Sequence, residues 1–324
     1  MRKSPDLLVI GAGAAGLAAS IRAKELGIQH VMLIDRISEL GGILPQCIHD
    51  GFGLEYLKQN LTGPEFARKL LEKAKDMQVD LHLETSTLGI VANSNVLILG
   101  KEFGLSRLQP KAIIYAGGAR ERGKASLELE GNRVTGVLTA GTAQRILNIH
   151  GYLPGRRIVV VGSGDVGLIV AKNLTLAGAK VLAILEIANR PGGSPRNLYQ
   201  CTEDLSIPLL LRKTVRGVLG RERLEGVVLV DVDDKAEPIE GSETAMQADT
   251  LIISVGLVPE IEPLLDAGIE FDPETGGPCV DELMMTNVPG IFAAGNAVHI
   301  HDLVDDVAEQ AEIAAQGAFE FITS

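Results

Sequence analysis

Residues 7–16 read LLVIGAGAAG, an apolar run that leads into three glycines with the spacing G-x-G-x-x-G. A helix-forming stretch follows from Leu17 to Leu26, and a second apolar run ends at Asp35. Short apolar runs of this kind are typical of buried parallel strands, and the glycines permit a tight turn from strand to helix. The stretch therefore predicts a β-α-β unit that begins near residue 7.

The same unit is repeated later in the chain. Residues 158–167 read IVVVGSGDVG, and the next apolar run again ends in an acid, Glu186. Each acid follows the first glycine of its unit by 24 residues, since 35 − 11 and 186 − 162 are both 24. Both units also have a matching closing strand, residues 112–118 and 250–256, which runs apolar into glycine. The chain thus contains two copies of a nucleotide-binding unit with the same order of strands, glycine turn and helix.

This pattern has a known physical use. The first glycine permits the turn, the second lets the backbone approach a pyrophosphate, and the third lets helix and strand pack closely. The acid accepts hydrogen bonds from an adenosine ribose, and the helix start presents unpaired N–H groups to the phosphates. We therefore predict two dinucleotide sites, although glycine turns that bind nothing remain the alternative. The residues predicted for the first site are Gly11, Gly13, Ala14, Ala15, Gly16, Asp35, Arg36, Gly42 and Gly117. Those predicted for the second site are Gly162, Gly164, Asp165, Val166, Gly167, Glu186 and Gly256.

Composition limits the classes of protein that fit. The net charge of −12 argues against nucleic acid and anionic membrane surfaces as partners. Three cysteines, Cys47, Cys201 and Cys279, form no C-x-x-C motif, which argues against a disulfide framework and against a metal or iron–sulfur site. Apolar runs are too short for a membrane span, and no signal segment is recognised. We expect a cytoplasmic protein without a bound metal.

The C-terminal region supplies a third element. Residues 286–296 read TNVPGIFAAGN, a turn and a short apolar strand that end in small residues. Small residues at this point would let a ligand lie against the backbone. A long helix is predicted from about Val304 to Ile322, with Asp302 as its N-cap and Asp305 as the capping-box partner.

These motifs, in this order, resemble the flavoproteins with two dinucleotide-binding domains, the pyridine nucleotide-disulfide oxidoreductase class that includes glutathione and thioredoxin reductases. The resemblance implies an α/β fold of two Rossmann-like domains, in which an NAD-binding domain of residues 119–247 is inserted into an FAD-binding domain of residues 1–118 and 248–324. It also implies that Gly295, Asn296 and Val304 complete the FAD site. Asn296 stands where the class usually has aspartate, and its amide keeps an acceptor oxygen for a ribityl hydroxyl.

Five further motifs are most similar to the NAD/FAD-dependent oxidoreductase that is associated with anaerobic-type glycerol-3-phosphate dehydrogenase. They are GGILPQCIHDGFG at 41–53, LTGPE at 61–65, TAGTAQR at 139–145, RNLYQC at 196–201 and NAVHIHDLVD at 296–305. The resemblance implies hydride transfer between NAD(H) and FAD, with electrons passed to or from a partner dehydrogenase subunit for glycerol 3-phosphate. The cysteine-rich iron–sulfur segment of some relatives is absent, so we do not expect a further relay in this chain. The resemblance is also compatible with a homo-oligomer of this chain.

Charge bears on the choice of nicotinamide cofactor. Glu186 would accept from a ribose 2′-OH and repel a 2′-phosphate, so NADH is predicted, with Arg190 as the one residue that argues for caution. Two alternatives to the electron-transfer enzyme stay open. One is an assembly subunit that binds FAD and NAD without turnover. The other is a self-contained NADH oxidase or peroxidase that uses Cys47 as its catalytic thiol, activated by a neighbour such as His49.

Overall fold

The structure is a computed structural model that describes residues 4–91 and 95–324. The strands are β1 (Leu7–Ile10), β2 (Val31–Ile34), β3 (Asp80–His82), β4 (Thr85–Val91), β5 (Asn95–Gly100), β6 (Gly104–Leu108), β7 (Ala112–Tyr115), β8 (Ala119–Glu121), β9 (Val137–Thr139), β10 (Arg157–Val161), β11 (Lys180–Glu186), β12 (Leu209–Leu211), β13 (Lys213–Gly220), β14 (Leu224–Asp231), β15 (Thr244–Gln247), β16 (Thr250–Ile253), β17 (Leu257–Pro259) and β18 (Ile291–Ala293). The α-helices are α1 (Ala14–Glu25), α2 (Gly63–Asp76), α3 (Ala140–Asn148), α4 (Asp165–Leu176), α5 (Pro195–Tyr199) and α6 (Val304–Thr323).

The chain forms two compact units, one of Met1–Arg120 with Val258–Ser324 and one of Glu121–Leu257. The second unit is therefore inserted into the first. This agrees with the expected α/β fold, in which one Rossmann-like domain is inserted into the other. The expected boundary at residue 248 is wrong, because β16 (Thr250–Ile253) pairs with β10 and β9 in the sheet of the second unit. The chain leaves that unit only after this strand.

The first unit is built on a parallel sheet with the order β18-β7-β1-β2-β3. Every residue of β1, β2, β7 and β18 is buried, which explains why these strands are continuously apolar. Helices α1 and α6 pack against each other and against the sheet. An antiparallel sheet of β4, β5 and β6 completes the unit.

The second unit repeats this plan. Its parallel sheet has the order β12-β11-β10-β16-β9, and an antiparallel sheet of β13, β14 and β15 accompanies it. In both units the glycine turn follows a central strand and leads directly into a helix, α1 or α4. Among the described residues, no helix is both long enough and apolar enough to cross a membrane.

The predicted last helix is confirmed, since α6 spans Val304–Thr323. Its expected cap is wrong, because Leu303 and not Asp302 is the N-cap residue. The side chain of Asp305 is also not a capping-box partner. It accepts hydrogen bonds from the backbone N–H groups of Gly53, Glu55 and Tyr56, far away in the sequence.

Candidate functional site

In the first glycine turn, two of the three glycines lie too close to other backbone atoms to carry a side chain. Gly11 has φ +103°, and a Cβ atom there would lie 2.3 Å from the carbonyl oxygen of Ala116. A Cβ atom on Gly16 would lie 1.7 Å from the carbonyl oxygen of Gly11. No side chain fits at such distances, so these two glycines are needed for the close packing of β1, β7 and α1.

Gly13 is different, because the space beside it is open. A Cβ atom at this position would meet no atom within 4 Å. Gly13 is the N-cap of α1, and the first turn of this helix, which begins with Ala14 and Ala15, carries no acidic side chain. Gly42 approaches the same point, since its Cβ atom would lie 3.1 Å from the Cα atom of Gly13. Gly13, Gly42 and the N–H groups at the start of α1 therefore surround an open space that fits a pyrophosphate, and we call this the first cradle.

The acid at the end of β2 holds this turn in place. Asp35 is half-buried, and its carboxylate accepts hydrogen bonds from the N–H of Ala12 at 2.6 Å and from that of Ile37 at 3.0 Å. Each carboxylate oxygen has a second lone-pair direction, so the group can also accept from a ribose hydroxyl. Arg36, which follows it, is exposed.

The C-terminal segment reaches the first turn. A Cβ atom on Gly295 would lie 2.9 Å from the Cβ atom of Ala15, and the N–H of Gly295 donates to the side chain of Gln310 at 2.7 Å. Gly117 lies after β7, where a Cβ atom would clash with the hydroxyl of Tyr115 at 2.3 Å. The structure therefore brings the beginning and the end of the chain together at one site within the first unit.

Asn296 has a partner that the sequence did not predict. Its side-chain oxygen accepts a hydrogen bond from the N–H of His301 at 3.0 Å and lies 3.3 Å from Nδ1 of the same residue. The rings of His299 and His301 lie with their centroids 3.9 Å apart. Burial lowers the pKa of His301, and the charge of His299 adds to this effect. Asn296 thus orients the loop that leads to Val304, the first residue of α6.

The second glycine turn repeats the first in detail. Gly162 has φ +98°, and its Cβ atom would lie 2.0 Å from the carbonyl oxygen of Ser254. A Cβ atom on Gly167 would lie 2.4 Å from the carbonyl oxygen of Gly162. Gly164, the N-cap of α4, again faces open space, and this space at the start of α4 is the second cradle. The exposed Gly256, with φ +98°, lies just beyond the closing strand.

Glu186 holds the second turn through Ser163. Its carboxylate accepts from the N–H of Ser163 at 3.1 Å, from the hydroxyl of Ser163 at 2.5 Å and from the N–H of Ala188 at 3.0 Å. The same buried hydroxyl accepts from the N–H of Gly192 at 2.9 Å. Sequence reasoning missed Ser163, although a hydroxyl residue between the first two glycines was the available signal. Arg190 is exposed.

Asp165 lies in the first turn of α4, where a free carboxylate would repel a bound phosphate. The structure turns it toward the segment that follows β11. Its Oδ1 atom accepts from the N–H and hydroxyl of Ser194, both at 2.8 Å, and from the amide of Asn197 at 2.6 Å. Its neighbour Val166 is exposed. Asp165 therefore ties α5 to the start of α4.

The sequence matches the family model described as pyridine nucleotide-disulphide oxidoreductase over residues 5–318. The chain belongs to this family. Its members are flavoprotein oxidoreductases that use FAD and NAD(P)H, and the two cradles of this pyridine nucleotide-disulphide oxidoreductase fit two such dinucleotides. The cofactor and enzyme predictions are thus confirmed at the level of the family.

Relatives of this family member include the thioredoxin reductase of Listeria monocytogenes, which is 27% identical over 90% of this chain and 85% of that protein. A subunit of the opine oxidase of Agrobacterium tumefaciens is 25% identical over 91% of this chain and 61% of that protein. Among solved structures, thioredoxin reductase from T. acidophilum matches with a TM-score of 0.80 at 21% identity and covers 100% of both chains. At this identity the structural match shows the fold alone.

Burial sets the pKa of two of the three thiols in this family member. Burial raises the pKa of the half-buried Cys47 to about 11, and its Sγ atom lies 3.4 Å from the carbonyl oxygen of Ile43. His49 does not lower this pKa. Its ring contacts Phe52, and its Nδ1 atom donates to the carbonyl oxygen of Asp50 at 2.9 Å. The raised pKa of Cys47 therefore has burial as its cause, and the catalytic role of this thiol stays a prediction.

The other cysteines are also single thiols. Burial raises the pKa of Cys201 to about 11 as well, and this thiol lies 3.2 Å from the carbonyl oxygen of Leu168. Cys279 is exposed, and none of the three cysteines is in a disulfide. Within residues 4–91 and 95–324, no group of three His, Cys, Asp or Glu side chains could hold a metal ion.

Proposed function

We propose that this protein transfers hydride between NADH and FAD and exchanges electrons with a partner dehydrogenase subunit whose substrate is glycerol 3-phosphate. The observation that carries the proposal is the pair of glycine turns, each with an open second glycine and an acid bound to the turn. In this proposal, the first unit holds FAD through the turn at Gly11, Gly13 and Asp35. The second unit holds NADH through the turn at Gly164 and Glu186.

FAD supplies the site that accepts and returns a hydride, and the protein positions the two rings for this transfer. The residues of this chain bind and orient. Gly13 and Gly164 leave room for the pyrophosphates, and the N-termini of α1 and α4 stabilise their charge. Gly295, which packs against Ala15, closes the first site from the C-terminal side.

NADH is favoured over NADPH by the charge at Glu186. Its carboxylate can accept from a ribose 2′-OH and would repel a 2′-phosphate. The exposed guanidinium of Arg190 has no role in this proposal. Substitution Glu186→Arg should weaken NADH and favour NADPH, because it removes the acceptor and adds a phosphate partner. An unchanged preference for NADH would show that Glu186 is not the ribose acid.

The distribution of cysteines supports an external electron acceptor. Cys47, Cys201 and Cys279 lie in no C-x-x-C motif, and the pKa of the first two is raised to about 11. All three cysteines are free, so they form no disulfide that could receive two electrons. One relative is named as a subunit of an opine oxidase, which also supports a role beside another polypeptide.

Reduction of the flavin is the direct test. Anaerobic holoprotein mixed with NADH should lose the absorbance of oxidised flavin and pass electrons to an artificial dye. Alone, it should not oxidise glycerol 3-phosphate, and addition of the partner dehydrogenase should connect the two reactions. Flavin that stays oxidised at saturating NADH would point to an assembly subunit without turnover. Turnover with peroxide that is lost in Cys47→Ser would point to the peroxidase alternative.

A further inference from the structure

Residues 53–56 of the first unit are held beside the start of α6 by one buried carboxylate. Asp305 is 3% exposed and accepts from the N–H groups of Gly53 at 3.1 Å, Glu55 at 2.9 Å and Tyr56 at 2.7 Å. The hydroxyl of Tyr56 also donates to Glu312 of α6 at 2.5 Å. These bonds fix residues 53–56 to the start of the last helix.

Large apolar side chains on these residues and on the segment before them face solvent. Ile43 is 62% exposed, Ile48 49%, Leu54 51% and Leu303 52%. Leu54 lies beside the start of α6, because both of its neighbours in sequence donate to Asp305. Burying one such side chain would contribute about 1.5–3 kcal/mol, and a contiguous group of them in water is typical of an interaction site.

The charges around these side chains have one sign. Besides the buried Asp305, residues 41–57 and 296–312 contain six carboxylates and no lysine or arginine. Lys58, just beyond the first segment, pairs with Glu55 at 3.0 Å. A second copy of the same surface, or an anionic bilayer, would bring like charges together. The surface instead fits a protein whose apolar contact area is surrounded by lysine or arginine.

We propose that Ile43, Ile48, Leu54 and Leu303 form the docking surface for such a basic redox partner. The proposal rests on the proposed function, because the partner must exchange electrons with the flavin. The surface borders the first cradle at both ends. Gly42 approaches Gly13 at one end, and the loop bound by Asn296 leads to Leu303 at the other. With a one-electron acceptor, each NADH yields NAD⁺, one proton and two reduced acceptor molecules.

Cytochrome c is the probe for this surface, because lysines surround its exposed haem edge. The holoprotein should reduce it with NADH, and the KM for cytochrome c should rise with ionic strength. Substitutions Leu54→Gln, Leu303→Gln and Glu55→Lys should each raise this KM by about fivefold or more. The matched controls Leu105→Gln, a 68% exposed leucine on β6, and Glu237→Lys, an exposed acid of the second unit, should change it by less than about twofold.

The rate at which NADH reduces the flavin should be the same in all of these variants. If that reaction is absent in the unaltered protein, the proposed function fails. If flavin is reduced normally, the docking proposal is overturned by three results. These are no reduction of cytochrome c, a KM that the variants leave unchanged, or an equal rise in the controls. A homo-oligomer that Leu303→Gln dissociates would show that a second copy occupies the surface, and would also overturn it.

Discussion

The carboxylate of Asp35 accepts a hydrogen bond from the N–H of Ala12, which lies between the first two glycines of its turn, at 2.6 Å. Glu186 makes the same contact with Ser163 in the second unit, at 3.1 Å. Each acid therefore stabilises the turn in which the pyrophosphate would lie, in addition to any contact with a ribose. The second turn has one further contact, since the hydroxyl of Ser163 links Glu186 to Gly192.

This link makes Ser163→Ala a specific test of the second site. Without the hydroxyl, the N–H of Gly192 loses its acceptor and Glu186 loses a donor. A buried polar group left without a partner costs about 1–3 kcal/mol, so we expect the KM for NADH to rise by about fivefold or more. The measurement is steady-state kinetics with NADH and a dye, together with the ratio of flavin to protein.

The ratio of flavin to protein should not change in Ser163→Ala, because this residue belongs to the second unit. Ser126→Ala is the matched control in the same unit, since its hydroxyl donates only to the local carbonyl of Gly123 in an exposed turn. An unchanged KM for NADH in Ser163→Ala would contradict the role of this hydroxyl.

Gly13 and Gly16 should respond differently to the same substitution. Gly13→Val places its side chain in open space, so the apoprotein should fold with an unaltered melting temperature but should not retain FAD. Gly16→Val drives a Cβ atom to 1.7 Å from the carbonyl oxygen of Gly11, so it should destabilise the fold itself. Flavin absorbance and thermal unfolding separate the two effects. Yellow protein purified from Gly13→Val would contradict the assignment of the cradle.

Sequence reasoning found the features whose chemistry is local. Each glycine turn lies with its acid in a single β-α-β unit, where spacing alone indicates their geometry. Asp305 shows the limit, because its sequence neighbours suggested a helix cap, whereas its donors lie near Tyr56 and arrive only through tertiary folding. Cys47 shows another limit. Its proximity to His49 in the sequence left an activated thiol open as an alternative, but the pKa depends on burial, which spacing does not reveal.

The raised pKa of Cys47 and Cys201 predicts an order of reaction. Thiolates react with iodoacetamide far faster than thiols, so at pH 8 we expect the exposed Cys279 to be alkylated first. Mass spectrometry of timed samples gives the order. NADH-to-dye activity should persist in the alkylated protein and in Cys47→Ser. Alkylation of Cys47 before Cys279 would show that Cys47 is activated after all.

The same two thiols predict a loss of stability in alkaline solution. In the folded chain their pKa is raised from 9.0 to about 11, so the folded state keeps protons that the unfolded state releases above pH 9. The free energy of unfolding should therefore be unaffected by these thiols below pH 9 and should fall between pH 9 and about 11. Denaturant unfolding of the unaltered protein and of the Cys47→Ser variant over this pH range measures the effect. A slope with pH that is equal in both proteins would contradict the contribution of Cys47.

Replacement of Asp305 by asparagine should weaken the first unit although it changes few atoms. The carboxylate accepts from three backbone N–H groups, two at Oδ1 and one at Oδ2. In Asp305→Asn one oxygen becomes an NH₂ group, so at least one buried N–H faces another donor. Each such loss costs about 1–3 kcal/mol, and the melting temperature should fall by several degrees. Asp306→Asn is the matched control, because this neighbouring carboxylate is exposed and should leave the melting temperature unchanged. Equal melting temperatures for the two variants would show that Asp305 does not hold the segment near Tyr56 in place.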